Sequence, residues 1–268
     1  MSQPRYVVRD SNLIGTSFYV QNLFPLRSFA PQGKRSIKKK EHKMRFGLIL
    51  AAGRGGRFGS PKQRMMLSGH PLALWSILAF EQCPEVDLIV MVTDEGNVEF
   101  FEHEIKQRGI EKVEAVIPGG AERLDSLKAG LKVLPPQGFV AVHDGARPFV
   151  RAEEIARGFH VVQSKGPAIY AIPATDTLKQ VKDNLVVETI PRECVYQAQT
   201  PQFFGLPILR EALAKAEAEG FIGTDEASYV ERLGERIHII PGRAENLKVT
   251  FRRDLELAEE LLAAGTCP

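Results

Sequence analysis

The sequence predicts an α/β fold built on a doubly wound, mainly parallel sheet, and three observations carry that expectation. Short β-rich runs alternate with helical stretches from Phe46 to Asp144. The polar or glycine-rich segments 51–63, 118–126 and 143–148 each follow one of those runs. They would therefore converge on one crevice beyond the carboxyl ends of parallel strands. Finally, 268 residues with 44% hydrophobic and 25% charged side chains can hold one large domain, or two small ones, around a sizeable core.

Taken in order, Phe46 to Leu50 reads as a buried strand, and Leu72 to Gln82 as a helix with Leu74, Ile77 and Leu78 on one face. Asp87 to Val92 is a second strand. A charged helix over Val98 to Arg108 follows it and stops at Gly109. Val113 to Ile117 is the third strand, broken by Pro118-Gly119-Gly120. The next helix carries Leu124, Leu127, Leu131 and Leu134 as one apolar stripe. Phe139 to Val142 is the fourth strand and ends at His143-Asp144. Beyond this point the pattern loosens. Two β runs within Thr177 to Glu188 flank Lys182-Asp183-Asn184, which has hairpin turn chemistry. Helices at Pro207 to Glu219 and Thr224 to Leu233, a strand at Arg236 to Ile240 and a last helix from Asp254 complete the chain.

The totals exclude several classes. Apolar runs such as Leu88 to Val92 are far too short to cross a membrane. Cys83, Cys194 and Cys267 are scattered, which fits a reducing compartment and rules out a zinc site made of cysteine pairs. Residues 1–43 hold nine Lys/Arg and two Asp/Glu, net +7, and the remainder holds 26 basic and 31 acidic residues, net −5. The basic excess thus belongs to the extension, and the mildly acidic body argues against a nucleic-acid partner. The extension reads as disordered or as an over-long start ahead of Met44, with a targeting signal as the alternative. A cytoplasmic location is expected, or a plastid if the extension is a true transit peptide.

The loop after the first strand, ILAAGRGGRFGSPKQ, matches neither familiar phosphate motif. Counted from Gly53, the sixth position of G-x-G-x-x-G is Phe58, and Lys62 is preceded by Pro61 and followed by Gln63. What remains is a glycine loop with Arg54, Arg57 and Lys62, able to bring backbone N–H groups and positive charge to phosphate oxygens. Read without context, a flexible loop with solvated arginines is the lesser alternative.

The segments LAAGRGGRFGSPKQ, HDGARPF, AQTPQFF, TDEAS and NLKVT, in this order, resemble the 2-C-methyl-D-erythritol 4-phosphate cytidylyltransferase family of non-mevalonate isoprenoid synthesis. The resemblance runs from about Met44 to the C-terminus. It implies a Rossmann-like nucleotidyltransferase fold, a β-hairpin dimer arm over about 174–198, and a homodimer. It also implies CTP and a polyol phosphate as substrates, and Mg²⁺ or another divalent cation. A substrate phosphate oxygen would attack the α-phosphorus of CTP and expel pyrophosphate, a reaction that needs positioning and positive charge more than covalent help.

By the same resemblance Ala51, Ala52, Gly53 and Gly55 wrap the triphosphate, and Arg57 and Lys62 stabilise the transition state. Lys248 and Arg192 hold the methylerythritol phosphate, with Arg192 serving the partner subunit's site. Gly120, Arg123 and Ser126 match the base- and ribose-reading segment. Asp144 would face the metal or the nucleotide phosphates, beside Gly145 and Arg147, while Thr177, Thr200 and Asp225 occupy further matched positions. His143 reads as structural, because an anionic phosphate nucleophile needs no general base. The chain departs from the family pattern at Ala121, where an acidic residue is usual, at Gly145 in place of alanine, and in a short interval between Arg57 and Lys62. Rival readings are a ribitol 5-phosphate cytidylyltransferase, a sugar-phosphate or molybdenum-cofactor nucleotidyltransferase sharing only the first loop, and a non-catalytic CTP-binding module.

Overall fold

A computed structural model describes residues 43–53 and 62–266. The extension through residue 42, and Arg54, Gly55 and Arg57 of the glycine loop, lie outside the described residues. In chain order the strands are β1 (Arg45–Ala51), β2 (Met66–Leu67), β3 (His70–Pro71), β4 (Leu88–Thr93), β5 (Val113–Pro118), β6 (Phe139–Asp144), β7 (Ala168–Pro173), β8 (Leu178–Lys182), β9 (Leu185–Ile190), β10 (Tyr196–Gly205) and β11 (His238–Pro241). The α-helices are α1 (Leu72–Gln82), α2 (Val98–Gln107), α3 (Arg123–Val133), α4 (Ala152–Lys165), α5 (Leu206–Ala218), α6 (Glu226–Glu231) and α7 (Arg252–Ala263).

The central sheet has seven strands in the order β5-β4-β1-β6-β10-β7-β11. Every neighbouring pair is parallel except those made by β10, which runs antiparallel to both β6 and β7. The expected α/β class is therefore observed, with one reversed strand inside it. β1 sits mid-sheet, and all of its residues after Arg45 are buried. A strand covered on both faces must be apolar throughout rather than alternating, which is why RFGLILA reads as a continuous run. Ile49 and Ala51 point to one layer, shared with Phe80 of α1, Phe159 of α4 and Phe203 of β10. Leu48 and Leu50 point to the other, with Leu127 and Leu131 of α3 and Leu209 and Leu213 of α5. A third cluster joins Leu67, Leu72, Phe149, Val249 and Ala258, tying α7 and the loop after β11 to the region around the first loop. Fully burying Val249 contributes roughly 1.5–3 kcal/mol to holding that loop in place.

Three features differ from expectation. Nothing is expected between Phe149 and Pro173, yet α4 and β7 occupy most of it. The signal was present, since Ile155, Phe159 and Val162 recur at helical spacing and are buried. The hairpin is narrower than 174–198. Its strands are β8 and β9, and Tyr196 to Ala198 leave the arm to pair with Pro173 to Ala171 of β7. Asp183 and Asn184 turn the hairpin with φ of 51° and 62°, the left-handed pair a two-residue turn requires. Finally, β6 continues to Asp144, so His143 and Asp144 are strand residues locked by the ladder to β1.

Close approach of α4 to β10 depends on Gly158, where an added Cβ would lie 2.0 Å from the Phe203 ring. Because that ring is fully buried and packed against Phe159 and Tyr170, it has little room to yield. Gly158→Ala should lower stability by about 1–3 kcal/mol, measured by thermal or urea unfolding.

Candidate active site

The carboxyl end of β6 delivers His143 and Asp144, buried polar residues directly after the apolar Val140-Ala141-Val142. The two neighbours on the strand face different surroundings. The His143 ring lies beside Phe80, 5.6 Å between centroids. Its Nε2 is 3.2 Å from the Arg147 carbonyl, and its Nδ1 is 3.0 Å from Thr200 Oγ1. A carbonyl can only accept, so Nε2 carries the proton and Nδ1 accepts from the Thr200 hydroxyl. That hydroxyl oxygen also accepts the Asp144 main-chain N–H at 3.0 Å. Burial pushes the imidazole down to about 4, so the ring is neutral and structural, as expected.

Asp144 is the centre of the charged site. Its Oδ1 accepts from Arg123 Nη2 at 2.9 Å, and its Oδ2 lies 2.8 Å from Lys248 Nζ and 3.6 Å from Arg147 Nε. Burial alone would raise this carboxyl, but Arg123, Lys248 and Arg147 together hold it well below the usual carboxylate range. Arg123 reaches back through its other terminal nitrogen to Glu226 Oε1 on α6. Arg147 is anchored by donating to the Asn246 carbonyl at 2.7 Å, and Asn246 Nδ2 donates to the Thr200 carbonyl at 2.9 Å. The loop after β11, the loop after β6 and the middle of β10 are thus tied into one unit.

A cavity of about 230 Å³ opens over this unit, lined by Arg123, Asp144, Arg147, Thr200, Asp225 and Lys248 along with Ala198, Gln199, Gln202 and Thr224. Six residues expected from the sequence are therefore brought together. Lys62, at the far end of the glycine loop, is outside that lining but reaches the same segment, its Nζ donating at 2.7 Å to the carbonyl of Val249, the residue after Lys248. Ala51 closes β1 in a buried position, with Ala52 half-buried and Gly53 exposed after it. Gly120 follows the end of β5, and Ser126 lies buried in α3, where its hydroxyl donates to the Glu122 carbonyl at 3.3 Å. Gly145 packs closely on β1, since a Cβ there would meet the Ala51 Cβ at 3.0 Å. The family's usual alanine would thus need a small local adjustment.

Two expected residues stand apart. Thr177 and Arg192 are exposed at the hairpin, outside the residues that line the cavity, and Arg192 Nη1 donates to the Thr175 carbonyl at 2.7 Å. Arg57 and Gly55 lie outside the described residues. Conversely, Glu226, Gln202 and Asn246 form part of the site without having been expected there. Glu226 and Gln202 fall inside the quoted motifs, and Asn246 opens NLKVT, but nothing in their spacing announces a role.

The His143 arrangement makes a signed prediction. The unfolded histidine takes up a proton near 6.5 and the folded one only near about 4, so the unfolded state binds more protons between them. Stability should fall as pH is lowered through that window, by at most about 1.4 kcal/mol per pH unit. Unfolding measured from pH 7 to pH 4 should show this slope in the native chain and lose it in His143→Gln.

A family model described as 2-C-methyl-D-erythritol 4-phosphate cytidylyltransferase matches residues 46–264. A protein of that name from Geotalea uraniireducens is 41% identical over 221 residues, covering 80% of this chain and 95% of the relative. One from Bacillus cytotoxicus is 40% identical over 217 residues, covering 80% and 96%. Among solved structures, 4-diphosphocytidyl-2C-methyl-D-erythritol synthase from Anaerococcus prevotii superposes with a TM-score of 0.74 at 27% identity, covering 82% of this chain and 99% of that one. The Thermus thermophilus 2-C-methyl-D-erythritol 4-phosphate cytidylyltransferase gives 0.65 at 30% identity, covering 81% and 98%. A sheet with this crevice, a cationic cluster at its strand ends and a match along nearly all of the described residues lead to one conclusion. The chain belongs to the 2-C-methyl-D-erythritol 4-phosphate cytidylyltransferase family.

Proposed function

We propose that this chain transfers CMP from CTP to 2-C-methyl-D-erythritol 4-phosphate, forming 4-diphosphocytidyl-2-C-methyl-D-erythritol and releasing pyrophosphate. The observation that carries the reading is the cavity lined by Asp144, Arg123, Arg147 and Lys248, with Lys62 bonded to the carbonyl of Val249, the residue after Lys248. Arg123, Arg147 and Lys248 against Asp144, Asp225 and Glu226 give three positive and three negative charges, net 0, and Lys62 brings this to +1. The three cations that face the cavity suit anionic substrates. The relatives give the ribitol phosphate and non-catalytic readings no support, and as bacterial proteins they lend none to a plastid address.

In this reading the polyol phosphate lies in the cavity, with Lys248 and Arg147 neutralising its charge. Its oxygen attacks the α-phosphorus of CTP in line with departing pyrophosphate. Lys62, and Arg57 by its place in the motif, offset the charge that gathers on the α-phosphate and leaving group. No proton need be removed from the nucleophile, consistent with a neutral His143 whose ring nitrogens are both engaged. Among the described residues no three His, Cys, Asp or Glu side chains converge into a metal cage. The Asp144 carboxylate, held ionised at the strand end, fits a divalent cation such as Mg²⁺, which keeps waters and takes phosphate oxygens as ligands. Asp144 would supply that carboxylate, and the bound cation would screen the triphosphate. Among the described residues no helix is long and apolar enough to cross a membrane.

We place the second copy of a homodimer on the hairpin. Val181, Leu185, Val186 and Val187 there are all more than half exposed, an apolar row unusual for an isolated surface. Arg192 would then enter the partner's site, which accounts for its distance from this chain's own cavity.

Pyrophosphate release with CTP and Mg²⁺ tests the reading. Methylerythritol phosphate should be strongly preferred, and a preference for ribitol phosphate, or no turnover with either, would overturn it. Lys62→Ala should lower turnover by ~10²–10³ with unfolding behaviour close to the native chain, since the lysine is only half-buried.

A further inference from the structure

Glu226 has no solvent exposure, sits on the first turn of α6, and has no part in the transfer chemistry set out above. A buried carboxylate is costly to keep unless it is paired. Burial pushes the Glu226 carboxyl above its ordinary value, with Arg123 opposing that push. Its partner Arg123 donates one terminal nitrogen to Glu226 Oε1 and the other to Asp144 Oδ1, the latter at 2.9 Å. Asp144 Oδ2 in turn lies 2.8 Å from Lys248 Nζ. Four charges of alternating sign thus run Glu226–Arg123–Asp144–Lys248, from a buried helix turn to the cavity. A guanidinium is a rigid planar fork, so two carboxylates on its two terminal nitrogens fix its plane, which a lysine ammonium could not do.

The turn carrying Glu226 is itself clamped. Gln202, buried in β10, donates from Nε2 to Asp225 Oδ2 at 2.8 Å and accepts at Oε1 from the Ala227 N–H at 3.0 Å. Asp225 Oδ1 accepts the Ser228 N–H at 3.0 Å as the helix cap. Both ends of one side-chain amide are therefore spent on seating a six-residue helix that would be marginal alone.

We propose that Glu226 is a positioning residue of the CMP-transfer reaction: through Arg123 it fixes the Asp144 carboxylate, and through Asp144 the ammonium of Lys248, with Gln202 seating the turn that carries it. This rests on the cytidylyltransferase reading above. Burial of the pair for stability alone would not require the chain to end on a cavity-lining lysine, because apolar residues of similar volume fill such places as well or better.

Steady-state kinetics of the full chain with CTP and methylerythritol phosphate supply the test. Glu226→Gln should lower kcat about tenfold and raise the KM for the polyol phosphate about fivefold. Its Tm should stay within about 4 °C of the native value. Placed in an Arg123→Lys background, the same substitution should add less than about a twofold loss, because its route is already cut. A lowered Tm with unchanged kinetics would reduce Glu226 to a structural residue, and a full further loss in the Arg123→Lys background would remove Arg123 as the intermediary. Should Glu226→Gln fold poorly, Glu226→Asp keeps the charge on a shorter stem and should show the same split. If the native chain itself releases no pyrophosphate, the functional reading fails on its own. Positioning is then read from the Arg123 guanidinium by NMR, assigned with Arg123→Lys. Slow rotation in the native chain and averaging in Glu226→Gln support it, and averaging in both overturns it.

Discussion

The Asp144 carboxylate, buried at the end of β6 among Arg123, Lys248 and Arg147, is the constraint around which this structure is organised. Removed from water without partners, a carboxylate costs several kcal/mol, and each cation here offsets part of that. The cations come from three separate places: the start of α3, the loop after β6 and the loop after β11. The sheet order brings those places together. β6 lies next to β1 on one side and β10 on the other, and the loop after β11 is carried back by Arg147 and Asn246. The third apolar cluster then presses Val249 into place, which sets Lys248 beside the carboxylate.

A site built this way is organised before substrate arrives. Its side chains are held by one another and by backbone carbonyls, so little reorganisation is left for the moment of reaction, the condition under which electrostatic stabilisation is most effective. Positive and negative charge are closely matched, with Arg123, Arg147 and Lys248 set against Asp144, Asp225 and Glu226. A large excess would bind phosphates tightly and release them slowly, whereas Asp144 and Glu226 keep the cations compact and aimed. The hydroxyl of Thr200 illustrates the same economy, since it is engaged with both His143 and the Asp144 backbone while also lining the cavity.

Much of this was legible in the sequence. The first four parallel strands and the apolar stripe of α3 follow from periodicity, and the hairpin turn follows from Lys182-Asp183-Asn184. Asp144, Arg147 and Lys248 could be singled out because they sit at strand ends or inside recognisable motifs. β10 was not legible, for a physical reason. Its sequence YQAQTPQFFG carries a proline and three glutamines and resembles a loop when read locally. It becomes a strand because Phe203 and Phe204 bury on opposite faces of the sheet and because β6 and β7 supply ladders on both sides. The arm ends short of residue 196 for the same reason, as Tyr196 to Ala198 pair with β7.

By itself, then, the sequence determined the α/β class, the order of the local elements and the family, because these rest on periodicity and on motifs that are contiguous in the chain. Tertiary structure alone decided which charges meet. Glu226 lies 103 residues from Arg123, and Lys62 lies 187 from Val249. No local pattern encodes such pairings. They arise when the sheet closes and buried charges must find partners of opposite sign within hydrogen-bonding reach.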